Sequence, residues 1–130
     1  MRYLTETEWK LASRFLFLSM ALQVIKQDLS RLEKEHPFKI NEPYVALLHQ
    51  MEKNATKERQ YLRKDMYQMK LQVIPLERKD SFSSYLFICK GKEEKRNYFN
   101  PAIRKKVETI LEELIHHAFT ESAPTNKISP

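Results

Sequence analysis

Eleven residues from Phe15 to Ile25, FLFLSMALQVI, carry no charge and lie between Arg14 and Lys26 inside a longer stretch of helical period. Trp9, Ala12, Phe15, Leu16 and Met20 mark one side of that helix. Phe17, Leu18, Ala21, Leu22, Val24 and Ile25 widen the stripe until the middle is apolar nearly all round, so the helix must be buried on more than one side. In a chain of 130 residues this demands either a central position or a subunit interface. Phe15, Phe17, Leu18 and Leu22 are the candidate interface residues. The helix is expected from about Glu6, where Thr5 and Glu8 have the spacing of a capping box, to Glu35.

The same run is too short to cross a bilayer, which takes about 20 apolar residues. The N-terminal segment MRYLTETEWK lacks the basic-then-apolar pattern of a secretion signal. The expectation is a cytoplasmic protein with no membrane partner.

His36-Pro37 ends the first helix, because a residue before proline is pushed out of the helical region. Asn41 is placed to cap a second helix with Glu42 and Pro43 in its first turn. Tyr44, Leu48, Met51, Ala55, Leu62, Met66, Met69 and Val73 hold a period near 3.6. That gives about 30 residues, or about 45 Å at 1.5 Å per residue. Two long helices with a short link pack as an antiparallel hairpin. The polar stretch from Lys53 to Lys64 is expected to reach past the core.

The period then changes. Leu71, Val73 and Pro75 suit a short first strand, and Glu77 to Ser81 a charged loop. Ser83 to Cys89, SSYLFIC, reads as a strand, with Tyr85, Phe87 and Cys89 on one face and Leu86 and Ile88 on the other. Gly91 allows the chain to turn, and Arg96 to Phe99 returns antiparallel. Asn100-Pro101 opens a last helix, whose face is Ile103, Val107, Ile110 and Leu114 and whose end is near Phe119. The predicted class is α+β and mostly helical: a long antiparallel helix hairpin, then a small antiparallel β-meander and a C-terminal helix. Residues 1–119 form one compact domain in this reading, and 120–130 a disordered tail.

The net charge is +6. Most of it falls between Lys90 and Lys106, where seven cations face two glutamates. Lys90, Lys92, Lys95, Arg96, Arg104, Lys105 and Lys106 are the candidate phosphate contacts, with Tyr98 available to stack on a base. Arg104, Lys105 and Lys106 also stand at a helix start, where the dipole disfavours cations. A bound anion would reconcile the two. Glu93 and Glu94 oppose the reading, since they would face the same polyanion.

Several chemistries are excluded or weakly supported. One glycine in the whole chain rules out phosphate loops of the P-loop and dinucleotide-binding types, which need several. The four histidines show no metal-ligand spacing, and His116 and His117 point about 100° apart on a helix. The acid needed beside Lys90 or Lys92 for a nuclease strand is replaced by Ile88 and Lys90. Arg31 and His36 match a ribonuclease spacing that four histidines and eight arginines produce by chance. Cys89, the single cysteine, reads as a small core residue without a histidine partner. No cofactor, metal or catalytic set is expected. The leading expectation is a non-enzymatic regulatory or accessory protein that binds nucleic acid through the basic hairpin and helix start. The alternative is a helical protein-interaction or homodimerisation module.

Overall fold

The computed structural model describes residues 3–122. Their order is α1 (Glu6–Glu35), α2 (Glu42–Met69), β1 (Leu71–Arg78), β2 (Phe82–Cys89), β3 (Lys92–Phe99) and α3 (Asn100–Ser122). The class is the expected one, α+β and mostly helical, with a three-stranded antiparallel sheet. α1 begins on a true capping box. Glu8 N–H donates to Thr5 Oγ1, and Thr5 N–H donates to the Glu8 carboxylate. It ends on His36 in the left-handed region, φ 48°.

α1 and α2 pack antiparallel, and α3 lies against both. The apolar excess of α1 is used up within the chain. Phe17, Leu18, Ala21, Leu22 and Ile25 join Met51 and Ala55 of α2 and Val107, Ile110, Leu114 and Ala118 of α3. Ala12, with Trp9, Leu11 and Phe15 beside it, faces the sheet instead, against Leu71, Phe87 and Cys89. α1 is therefore the central element, with helices on one side and strands on the other. Of the two arrangements open to so apolar a helix, the central one holds. Phe17, Leu18 and Leu22 are buried core rather than free interface, and Phe15 is half-buried beneath the Arg59 guanidinium, 4.8 Å from its ring centre.

The polar stretch of α2 does not overrun the core. Glu58 and Arg59 reach across to α1, where Arg59 Nε donates to Ser19 Oγ at 2.8 Å, and Ala55 and Met66 are buried.

The sheet order is β1-β2-β3. Leu71 to Pro75 pair with Cys89 to Tyr85, and the register then shifts before Arg78 meets Ser83. β3 pairs with β2 along its whole length, from Phe82–Phe99 to Cys89–Lys92. Both outer strands are longer than expected, because the charged runs Glu77-Arg78 and Lys92 to Lys95 belong to them. An edge strand pairs on one side only and tolerates charge. Lys90 and Gly91, at φ 51° and 85°, make the two-residue turn between β2 and β3.

Two expected caps work differently. The Asn41 side chain makes no cap bond on α2; its Nδ2 donates instead to the Leu32 carbonyl near the end of α1, at 2.7 Å. Asn100 Oδ1 accepts from Ser83 Oγ, while its Nδ2 donates to the carbonyls of Lys79 and Asp80. It fastens the β1–β2 turn to the start of α3. α3 runs to Ser122, three residues past the expected end. The rest of the expected tail lies outside the described residues.

Candidate functional site

The helix-facing side of the sheet carries Val73, Tyr85, Phe87 and Cys89, with Lys92, Glu94, Arg96 and Tyr98 of β3 beside them. This side holds three of the eight expected nucleic-acid contacts, Lys92, Arg96 and Tyr98, and all three are already engaged. Lys92 Nζ meets Glu8 Oε1 at 2.7 Å in a mostly buried pair. The bond from Lys92, and a second from the Thr5 N–H, hold the Glu8 carboxyl down at about 2, against an ordinary 4.5. Arg96 lies over the Trp9 ring at 4.1 Å and bonds Glu94 at 2.6 Å. Trp9 in turn meets the Phe87 ring at 4.6 Å. Tyr98 packs edge-on against Phe17 at 5.3 Å and is half-buried, so its ring is not free to stack on a base. Burial pushes its hydroxyl up from the ordinary range. Burial, first, and the neighbouring Glu8 push the Cys89 thiol up as well, and it donates to the Met69 carbonyl at 3.3 Å. That is the setting of an inert thiol.

The other candidates do not converge. Lys90 stands at the hairpin turn and Arg104 beyond the far end of β3. Eight residues of strand separate the two ends, roughly 26 Å at 3.3 Å per residue. Lys105 bonds Glu108 at 3.3 Å, and Lys106 leans over the Phe17 ring at 5.6 Å. Lys90, Lys95 and Arg104 form no ion pair among the described residues. Arg104 shares a cleft of about 760 Å³ with Arg78, Asp80 and the start of α3. Arg78 was legible as a cation but lies outside the dense run that the charge count picks out.

The opposite side of the sheet is the larger surprise. Leu86 and Ile88 of β2 point there, with Ile74 of β1 and Lys95 and Glu93 of β3 as their neighbours. No helix covers them, and none of Ile74, Leu86 or Ile88 belongs to either core cluster. Ile74 is 38% exposed, and Phe82 and Phe99, paired at the end of the same side with ring centres 5.5 Å apart, are 50% and 51% exposed. The alternation in SSYLFIC already allowed a strand covered on one face and used for contact on the other. The aromatic pair was not visible, because Phe82 and Phe99 meet only once the β2–β3 register is known.

Among the described residues no group of three or more histidine, cysteine or acidic side chains is placed to hold a metal, and no helix is long and apolar enough to cross a membrane.

Residues 3–119 match the model of a protein family described as "YhjD protein". A relative from Bacillus subtilis (strain 168), described as "Uncharacterized protein YhjD", is 36% identical over 108 residues, covering 83% of this chain and 89% of its own length. No solved structure matches the chain.

Proposed function

The chain belongs to the YhjD family, and we propose that it is a non-enzymatic cytoplasmic interaction module that pairs with a second copy of itself through the open side of its sheet. The observation that carries this is the row of exposed Ile74 and half-buried Leu86 and Ile88, outside both core clusters, with the exposed Phe82–Phe99 pair at its end, in a chain that buries its other strand face completely at Phe87 and Cys89. Contiguous exposed apolar surface on a small protein marks a contact site.

Charge favours a like partner. Glu93 and Lys95 stand two residues apart on this side, opposite Ile88 and Leu86. A two-fold interface presents the same patch on both subunits, so residue i meets j and j meets i. Turned on itself, this patch sets Glu93 of each copy against Lys95 of the other. A polyanion would be repelled by the first and a strongly acidic protein likewise. The test is light scattering on the purified chain. Twice the chain mass supports the reading, and a monomer at all concentrations up to the millimolar range overturns it.

The nucleic-acid reading keeps one supporting observation, the shared cleft of Arg78 and Arg104 at the start of α3. It stands as the second reading, because Lys92, Arg96 and Tyr98 are committed to internal contacts.

A further inference from the structure

A cleft of about 430 Å³ lies between α2 and α3, away from the sheet. From α2 it is lined by Lys53, Asn54, Lys57 and Tyr61, and from α3 by Leu114 and His117. Lys53, Lys57 and Tyr61 recur every four positions and Asn54 lies three before Lys57, so they share one helical face. Neither Lys53 nor Lys57 has an acidic partner among the described residues. The acid that does line the cleft, Glu58, is held by the Arg14 guanidinium through two bonds, at 2.7 and 3.1 Å.

Asn54 supplies a second, independent sign. Its Oδ1 accepts from Gln50 Nε2 at 3.1 Å. Its Nδ2 is buried and finds no acceptor among the described residues. Buried donors are nearly always paired, so an unpaired one at the wall of a cleft calls for an acceptor from outside. The ammonium groups of Lys53 and Lys57 and the ring N–H of His117 are further donors around the same space, and none of the lining groups but Glu58 is anionic.

We infer that this cleft binds a small phosphorylated molecule. Its phosphate accepts from the Lys53 and Lys57 ammonium groups and, once the Asn54 side chain turns toward the cleft, from its Nδ2, and its organic part lies against Tyr61 and Leu114. Phosphate fits better than carboxylate. A planar carboxylate suits the fork of an arginine, and no arginine lines the cleft, whereas lysines act as separate point charges around a tetrahedral anion. The volume exceeds what a bare phosphate fills and is within the range of small-ligand sites. The inference is independent of the sheet-face pairing, because it uses other elements.

The experiment is an amide NMR titration of the full chain with inorganic phosphate and then with a nucleoside monophosphate, at constant ionic strength. Saturable shifts confined to residues 50–61 and 114–117 are expected, with the monophosphate binding more tightly than phosphate. The exposed-residue variant Lys53→Ala/Lys57→Ala keeps the helix and is expected to bind roughly tenfold or more weakly. Asn54→Ala is expected to weaken binding several-fold without changing the far-UV spectrum. No saturable shift, shifts scattered over Lys90, Lys95 and Arg104, or equal affinity in the double variant overturns the inference.

Discussion

Arg14 and Glu58 meet fork to fork, with Nε to Oε2 at 2.7 Å and Nη2 to Oε1 at 3.1 Å. The third nitrogen of the same guanidinium donates to Glu113 at 2.8 Å. One side chain of α1 thus ties down both other helices, and the two carboxylates, Glu58 first, push its pKa up. Bidentate charge-assisted bonds are among the stronger ones at a partly exposed site. Arg14→Leu leaves two carboxylates facing each other without a cation. It is expected to lower stability by about 2 kcal/mol, read as a reduced urea midpoint at unchanged slope. Arg14→Lys should recover less than half, since an ammonium cannot serve both acids in the same plane.

Acid should act through Glu8. Its carboxyl sits at about 2 in the folded chain against 4.5 ordinarily, because Lys92 and the Thr5 N–H bond the ionised form. The folded value lies below the unfolded one, so this contribution is complete above about pH 4.5 and is lost as the pH falls toward 2. Thermal midpoints of the native chain should fall through that window. Glu8→Gln should lower the midpoint at pH 7 and flatten the acid slope. An unchanged slope in the variant would show that other carboxylates carry it.

Two apolar substitutions separate core from contact surface. Leu18→Ala empties a fully buried site and is expected to lower stability by about 3 kcal/mol without altering the subunit number. Ile74→Lys places a charge on the open side of the sheet, where Ile74 is 38% exposed. It should leave the unfolding midpoint nearly unchanged and, if the chain pairs through this side as proposed, leave only monomer in light scattering.

The second functional reading has its own check. Fluorescence anisotropy with duplex and single-stranded oligonucleotides, at several salt concentrations, should show little binding if internal contacts have consumed Lys92 and Arg96. If binding appears and weakens log-linearly with salt, changing Arg104, Lys105 and Lys106 to alanine should abolish it. Unchanged affinity in that triple variant removes the helix start as the site.

Helix existence was readable because period and capping agreed. Thr5 and Glu8 mark the start of α1, and their capping box is formed. The strands were readable only where burial demands apolar residues, as in Tyr85 to Cys89. Lys92 to Lys95 looks like a loop because charged side chains on an edge strand lose nothing by pairing their backbone. Asn41 and Asn100 sit where caps belong, but each is drawn to a carbonyl brought near by tertiary packing, Leu32 in one case and Lys79 in the other. Charge density located the cations but could not reveal which are taken up by internal contacts, as Lys92 and Arg96 are. Whether Lys92 is free depends on Glu8, 84 positions away. The cleft residues Lys53 and Lys57 were visible only as part of a polar stretch, since nothing local reveals that His117 comes to face them.

The central place of α1 has a consequence for synthesis. Its two apolar sides are covered by segments made later, the sheet side by β2 and the helix side in part by α3. Until Leu114 and Ala118 have left the ribosome, Leu18, Ala21 and Ile25 have only α2 to shield them. The nascent chain therefore carries its most apolar segment only partly covered until α3 is made. Chaperone dependence and aggregation of truncated chains should concentrate there.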